Sequence, residues 1–205
     1  MKRSIAFFDF DGTITTKDTF LEFVRFVKGS RKFWIGFLIN APLILAMKLK
    51  LISNQAAKEK VLAYFFKGTS IDQFDNWCQQ FNQQILPSLI RPGAITEINR
   101  LKMQGTIVVV VSASLENWIR PWTNQLGIQL IGSRPQITNR VMNGKLIGKN
   151  CYGEEKVIRI KEYYNVDEFD EVYAYGDTKG DLPMLEIAKS RFYKPFRSFA
   201  DQSVS

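Results

Sequence analysis

A chain of 205 residues with 45% hydrophobic, 23% charged and 13% aromatic residues can form one α/β domain with an insertion, and its composition excludes a fibrous or low-complexity protein. It contains no histidine, so acid–base and metal chemistry must come from carboxylates. The formal net charge of +8 admits an anionic partner, but no basic base-reading helix and no aromatic RNA-binding strand signature is present, which argues against nucleic acid.

Met1 to Phe10 runs from a short basic start directly into strand-like residues, with no secretory signal pattern, and the polar end Asp201 to Ser205 is expected to be disordered. Ser4 to Phe10 (SIAFFDF) predicts a buried strand that ends in acid. Four helical segments then follow: Asp18 to Val27, the apolar Trp34 to Leu51, Asn54 to Phe66, and Ile71 to Ile85 behind a Ser70–Gln73 capping box. The apolar run Phe33 to Met47 covers about 15 residues and is interrupted by Asn40 and Pro42, short of the roughly 20 that a membrane-spanning helix needs. It reads as the greasy centre of a helical unit. Arg25, Lys28, Arg31, Lys32, Lys48, Lys50, Lys58 and Lys60 stand against Glu59 alone, so residues 25–60 are also a candidate for peripheral contact with an anionic membrane.

Further along, Pro92 to Met103 has proline at its first turn and Gly105 past its end, the punctuation of a helix. Thr106 to Ser112 (TIVVVVS) is wholly apolar and β-branched, as in a parallel sheet covered on both faces. Leu115 to Leu126 predicts a helix between Ser114 as N-cap and Gly127, and Asn139 to Gly148 a hairpin centred on Asn143-Gly144. Helix Glu154 to Tyr164, strand Glu171 to Gly176, helix Leu182 to Lys189 and a short strand at Arg191 to Pro195 complete the pattern. Strands alternating with helices predict a doubly wound, mostly parallel sheet, with a core of residues 1–16 and 87–205 and a helical insertion, 17–86, roofing the crevice at the strand ends. Cys78 and Cys151 read as reduced and structural, which fits a cytoplasmic protein.

The segment richest in chemistry is Asp9-Phe10-Asp11-Gly12-Thr13-Ile14-Thr15. Strand alternation puts Asp9 and Asp11 on one side, and Gly12 permits a sharp turn after them. Such a pair suits a nucleophile and a general acid/base, and oxygen ligands alone point to Mg²⁺. Ser112-Ala113-Ser114, between strand and helix, has the makings of a phosphate cradle. Lys156 at a helix start supplies an ammonium, and Gly176-Asp177-Thr178-Lys179-Gly180-Asp181 supplies two further acids after a strand. In a parallel sheet all four groups meet in one crevice.

These motifs, in this order, resemble the haloacid dehalogenase-like hydrolase superfamily and, within it, the phosphoserine-phosphatase-like subfamily IB, over essentially the whole chain. The resemblance implies a helical C1 cap, Asp9 as nucleophile and Asp11 as general acid/base. It implies phosphate binding by Ser112, Ala113 and Lys156, Mg²⁺ held by Asp9, the Asp11 carbonyl and Asp177, and support from Gly12, Thr13 and Asp181. Phosphoserine phosphatases carry a glutamate where this chain has Asp18 and a glycine pair where it has Ala113-Ser114; both departures count against phosphoserine. Asn150 to Val157 and the apolar segment look more like the bacterial phosphatidylglycerophosphatase C type, which acts on a lipid phosphate. The resulting expectation is hydrolysis of a phosphate monoester, with a lipid phosphate, transfer to an alcohol acceptor, a phospho-acceptor signalling domain and a membrane-binding module as competing readings.

Overall fold

The computed structural model describes residues 3–197, so the disorder expected at Asp201 to Ser205 lies outside the described residues. Strand β1 is Ser4–Phe8, β2 is Ile107–Leu115, β3 is Gln129–Thr138, β4 is Val141–Ile147, β5 is Glu171–Gly176 and β6 is Ser190–Tyr193. They form one sheet in the order β4-β3-β2-β1-β5-β6, parallel except for β4, which is the expected doubly wound arrangement. Period-two alternation divides its core between two faces. Ala6, Phe8, Val108 and Val110 join one apolar cluster, while Ile5, Phe7, Val109 and Val111 join the other.

Helices α1 (Thr19–Lys48), α2 (Asn54–Phe66), α3 (Ile71–Gln84) and the short α4 (Leu86–Leu89) stand between β1 and β2 in sequence. The two helical segments expected over 18–51 are the two limbs of α1, which meet at Gly29, whose φ of 76° and ψ of 159° are not helical. Ser53 and Ser70 cap α2 and α3 by accepting hydrogen bonds from the N–H groups of Ala56 and Gln73. Phe23 of α1, Phe66 of α2, and Phe74 and Phe81 of α3 share the first sheet face's cluster with Trp118, so the insertion and the sheet have a common core. Helices α5 (Pro92–Met103) and α6 (Glu116–Leu126) contribute Ile98 and Ile119 to that cluster; α7 (Glu154–Tyr163) and α8 (Leu182–Glu186) contribute Ile160 and Met184 to the other.

Several boundaries differ from expectation, the following among them. Strand β2 runs on to Leu115, which is itself the N-cap of α6, so Ser114 caps nothing; Gly127 does end α6, in the left-handed conformation. The hairpin turns at Asn139-Arg140, both with positive φ, rather than at Asn143-Gly144, which lies inside β4. Helix α8 stops at Glu186, three residues early. Cys78 and Cys151 are free and buried, as expected.

Gly144, at φ 85°, has a reason to be where it is. A Cβ there would lie 2.4 Å from Ala63 Cα, so the glycine lets α2 rest on β4. Gly68 has the same φ of 85° but open space around it. Gly68→Ala should therefore cost about 1 kcal/mol of backbone strain, and Gly144→Ala about 2–4 kcal/mol, read from urea-denaturation midpoints.

Candidate active site

Asp9 follows the last residue of β1, and its N–H donates to the carbonyl of Tyr175 in β5 (2.9 Å). The chain then makes a wide helical turn over Phe10–Ile14 in which Asp11 (ψ 117°) and Gly12 (φ 84°) leave helical geometry. This turn, rather than strand alternation, brings both acids into one cavity. Their side chains part there. Asp9 accepts from Lys156 Nζ at 2.5 Å. Asp11 accepts from the N–H and hydroxyl of Thr19 (2.7 and 2.5 Å) and from Ser114 Oγ (2.6 Å).

Lys156, on the first turn of α7, is almost wholly buried, and its ammonium has three partners: Asp9, Asp181 Oδ1 (2.6 Å) and the carbonyl of Val111 in β2 (2.9 Å). Burial alone would lower its pKa, but the adjacent carboxylates of Asp9 and Asp181 outweigh that and hold it above the ordinary lysine range. Asp181 is held below its ordinary value: burial opposes ionisation, and Lys156 together with the Thr178 N–H and hydroxyl overcomes it. Asp9 is pushed up to about 8, first by burial, against the pull of Lys156 and with the repulsion of Asp181 and Asp11 added.

Asp177, directly after β5, accepts from Thr13 Oγ1 (3.3 Å) and Arg197 Nη2 (3.0 Å). A Cβ on Gly12 would lie 2.4 Å from Asp177 Oδ2, so only glycine lets the turn come this close. Oxygens of Asp9, Asp177 and Asp181 all lie within 4.8 Å of one another, and no histidine or thiol intrudes on this hard-donor set. Their chemistry fits Mg²⁺. The third side-chain oxygen is Asp181's, since Asp11's carboxylate is turned to Thr19 and Ser114.

Ser112 is fully buried, with Oγ accepting from the Ser114 N–H (3.0 Å) and donating to Asp11 (3.4 Å); Ala113 and Ser114 line the cavity. Asp18 caps α1 through Leu21 N (3.1 Å) and also stands at the cavity wall. Enclosure there and the charge of Asp11 raise its pKa.

Sequence reasoning missed Thr19, Lys58 and Asn150. Thr19 accepts from the indole N–H of Trp118 (3.1 Å) while donating to Asp11, which orients the acid from the insertion. Lys58, read in sequence as one of the basic flanks, reaches from α2 into the cavity and donates to the Ala113 carbonyl and to Asn150 Oδ1 (3.0 Å). Burial lowers its pKa to about 8, with Asp11 and Asp18 resisting. No spacing in the chain pairs position 58 with 113 and 150.

The cavity has a volume of about 740 Å³. Its polar floor carries Asp9, Asp11, Lys156, Asp177 and Asp181, and its far wall carries Phe20, Val24, Phe33, Phe37, Ile44 and Phe65.

The sequence profile of the haloacid dehalogenase-like hydrolases matches residues 6–186, most of the chain. The chain belongs to that family. Among its relatives, protein CicA of Caulobacter vibrioides is 37% identical over 196 residues, spanning 93% of this chain and 85% of that protein. A protein of Mycobacterium tuberculosis named a probable phosphatase is 31% identical over 198 residues, spanning 90% of this chain and 66% of that one. A crystal structure of phosphoserine phosphatase in its apo form superposes with a TM-score of 0.67 at 16% identity, over 94% of this chain and 86% of that one, a likeness of fold. Among the described residues of this hydrolase, no helix is long and apolar enough to cross a membrane.

Two measurements follow for the hydrolase. In chelator-treated protein, Lys156→Met leaves Asp9 and Asp181 buried without a counter-charge and should cost about 3–5 kcal/mol in urea denaturation. Lys58 titrates near 8 when folded and near 10.5 when unfolded. The unfolded state therefore holds its proton more tightly, and stability from this group should rise as pH increases from about 8 to 10.5. Paired denaturation curves against Lys58→Met, which lacks that increment, read it out.

Proposed function

We propose that this hydrolase is a phosphatase that removes the phosphoryl group of a phosphate monoester through an aspartyl phosphate on Asp9. The observation that supports it best is the buried ammonium of Lys156, 2.5 Å from Asp9 and 2.6 Å from Asp181 at the floor of a cavity large enough for a substrate. On this reading residues 17–86 act as a cap over a core of 1–16 and 87–205.

In the first step an Asp9 oxygen attacks phosphorus, the bond from phosphorus to the ester oxygen breaks, and Asp11 gives its proton to the departing alkoxide. In the second, Asp11 takes a proton from water as that water attacks the acyl phosphate. The bond between phosphorus and Asp9 breaks, releasing inorganic phosphate and the free carboxylate. Lys156, the Ser112 hydroxyl and the backbone at Ala113 hold the phosphoryl oxygens, and Thr19 and Ser114 keep Asp11 in place. Asp9, the Asp11 carbonyl and Asp177 would hold Mg²⁺, with Asp181 beside them. A bound cation supplies positive charge that keeps the Asp9 carboxylate ionised and offsets the charge on the phosphoryl group.

A lipid phosphate monoester is favoured as a second reading of the substrate by the apolar wall of the cavity, which a small polar metabolite leaves without a partner. Transfer to an alcohol acceptor uses the same acyl phosphate, and product partition with added alcohols separates it from hydrolysis.

Asp9→Asn should lower turnover of an aryl phosphate by on the order of a thousandfold or more, and EDTA should do the same until Mg²⁺ is restored. Unchanged turnover in Asp9→Asn would refute the assignment. A panel of phosphoserine, sugar phosphates, nucleotides and phosphatidylglycerophosphate identifies the leaving group.

A further inference from the structure

The run Phe33 to Met47 divides into two opposite faces of α1. Phe33, Phe37, Ile44 and Met47 point inward and line the cavity, with Asn40 among them donating to the Gly36 carbonyl (2.8 Å). Trp34, Ile35, Leu38, Ile39 and Leu45 are each more than half exposed, Leu38 at 70%. At 100° per residue the outward set spans roughly 140° and the inward set roughly 80°, centred on opposite sides of the helix. Leu49 and Leu51, just past the helix, extend the exposed set. Isolated exposed leucines are ordinary, but a continuous apolar stripe of this length marks a contact surface.

Charge decides among its occupants. Between Glu22 and Glu59 there is no acidic residue, while Arg25, Arg31, Lys32, Lys48 and Lys50 are exposed near the stripe. A second copy docking on the same face would set these cations against their own kind, since a two-fold interface repeats one patch on both sides, with no acid in the stretch to answer them. An anionic bilayer offers both an apolar layer for the stripe and negative headgroups for its flanks.

We propose that the outward face of α1 lies on an anionic lipid bilayer. Its helix lies in the interface rather than across it, and the cavity wall on its inner face is then carried at the bilayer surface. The proposal deepens the phosphatase reading by naming where the substrate is met, and it rests on that reading for this consequence alone.

The test is flotation of the full-length chain with vesicles of phosphatidylcholine alone and of an equal mixture of phosphatidylcholine and phosphatidylglycerol, at low and high salt. Binding to the mixed vesicles, weakened by salt and absent from the neutral ones, is the expected result. Leu38→Glu/Leu45→Glu should weaken it by about tenfold or more while aryl phosphate turnover stays at the parent level, and Lys48→Glu/Lys50→Glu should weaken it without touching the apolar stripe. Failure of the parent chain to bind mixed vesicles, or binding unaffected by both variants, overturns the proposal. So does a dimer that sedimentation shows dissolving in Leu38→Glu/Leu45→Glu without lipid. Asp9→Asn should float like the parent; if it also keeps its turnover, the phosphatase reading falls and the docking surface stands.

Discussion

Lys156 carries a full charge at an almost wholly buried position on the cavity floor, and much of the molecule is arranged around that fact. A buried ammonium is tolerated only when opposite charge and hydrogen-bond acceptors surround it closely. Its three partners come from separate parts of the chain: Asp9 after β1, Val111 in β2, and Asp181 beyond β5. Adjacent parallel strands in the order β2-β1-β5 bring those ends together, so sheet topology and site electrostatics depend on the same contacts. The same cation holds Asp181 ionised, whereas at Asp9 burial and the repulsion of the neighbouring acids outweigh its pull and raise the pKa to about 8.

A second chain of contacts ties the insertion to this floor. The Trp118 indole donates to Thr19, and Thr19 donates to Asp11, which also accepts from Ser114. Trp118 stacks on Phe23 (5.1 Å between centroids) in the core shared by α1, α3 and the sheet. Position and packing are thus coupled: the hydrogen bonds that aim Asp11 depend on an aromatic cluster that belongs half to the insertion. The hairpin of β3 and β4 braces the other side, since Gly68 and Thr69, past the end of α2, exchange backbone hydrogen bonds with Met142 (2.9 and 2.8 Å).

Helix α1 shows how one segment can serve two environments. A helix apolar all round is usually enclosed on every side. Here only the inner half is, and it forms the apolar part of the cavity rather than a closed core. The segment read from sequence as the greasy centre of a cap is in the structure a wall between the acidic cavity and the outside.

Much of this was legible in the residues themselves. Asp9, Lys156, Asp177 and Asp181 stood out because each sits at the end of a strongly patterned strand or the start of a helix, and local pattern is what a linear sequence expresses. Helices α2 and α5 and strand β5 matched to the residue for the same reason: caps, proline and β-branched runs act within a few positions. The break at Gly29 falls in the gap between the two segments read at 18–27 and 34–51, because its backbone conformation is one that glycine alone adopts readily. The inward and outward faces of 33–47 could not be told apart, since a helix apolar on both faces has no amphipathic period to reveal its orientation. Lys58 read as a surface cation because its neighbours, Ala113 and Asn150, are distant in sequence. Local chemistry was therefore written in the chain, whereas which charges are buried, which apolar groups are left exposed and which acids share a pocket follow from long-range contacts that only the folded structure creates.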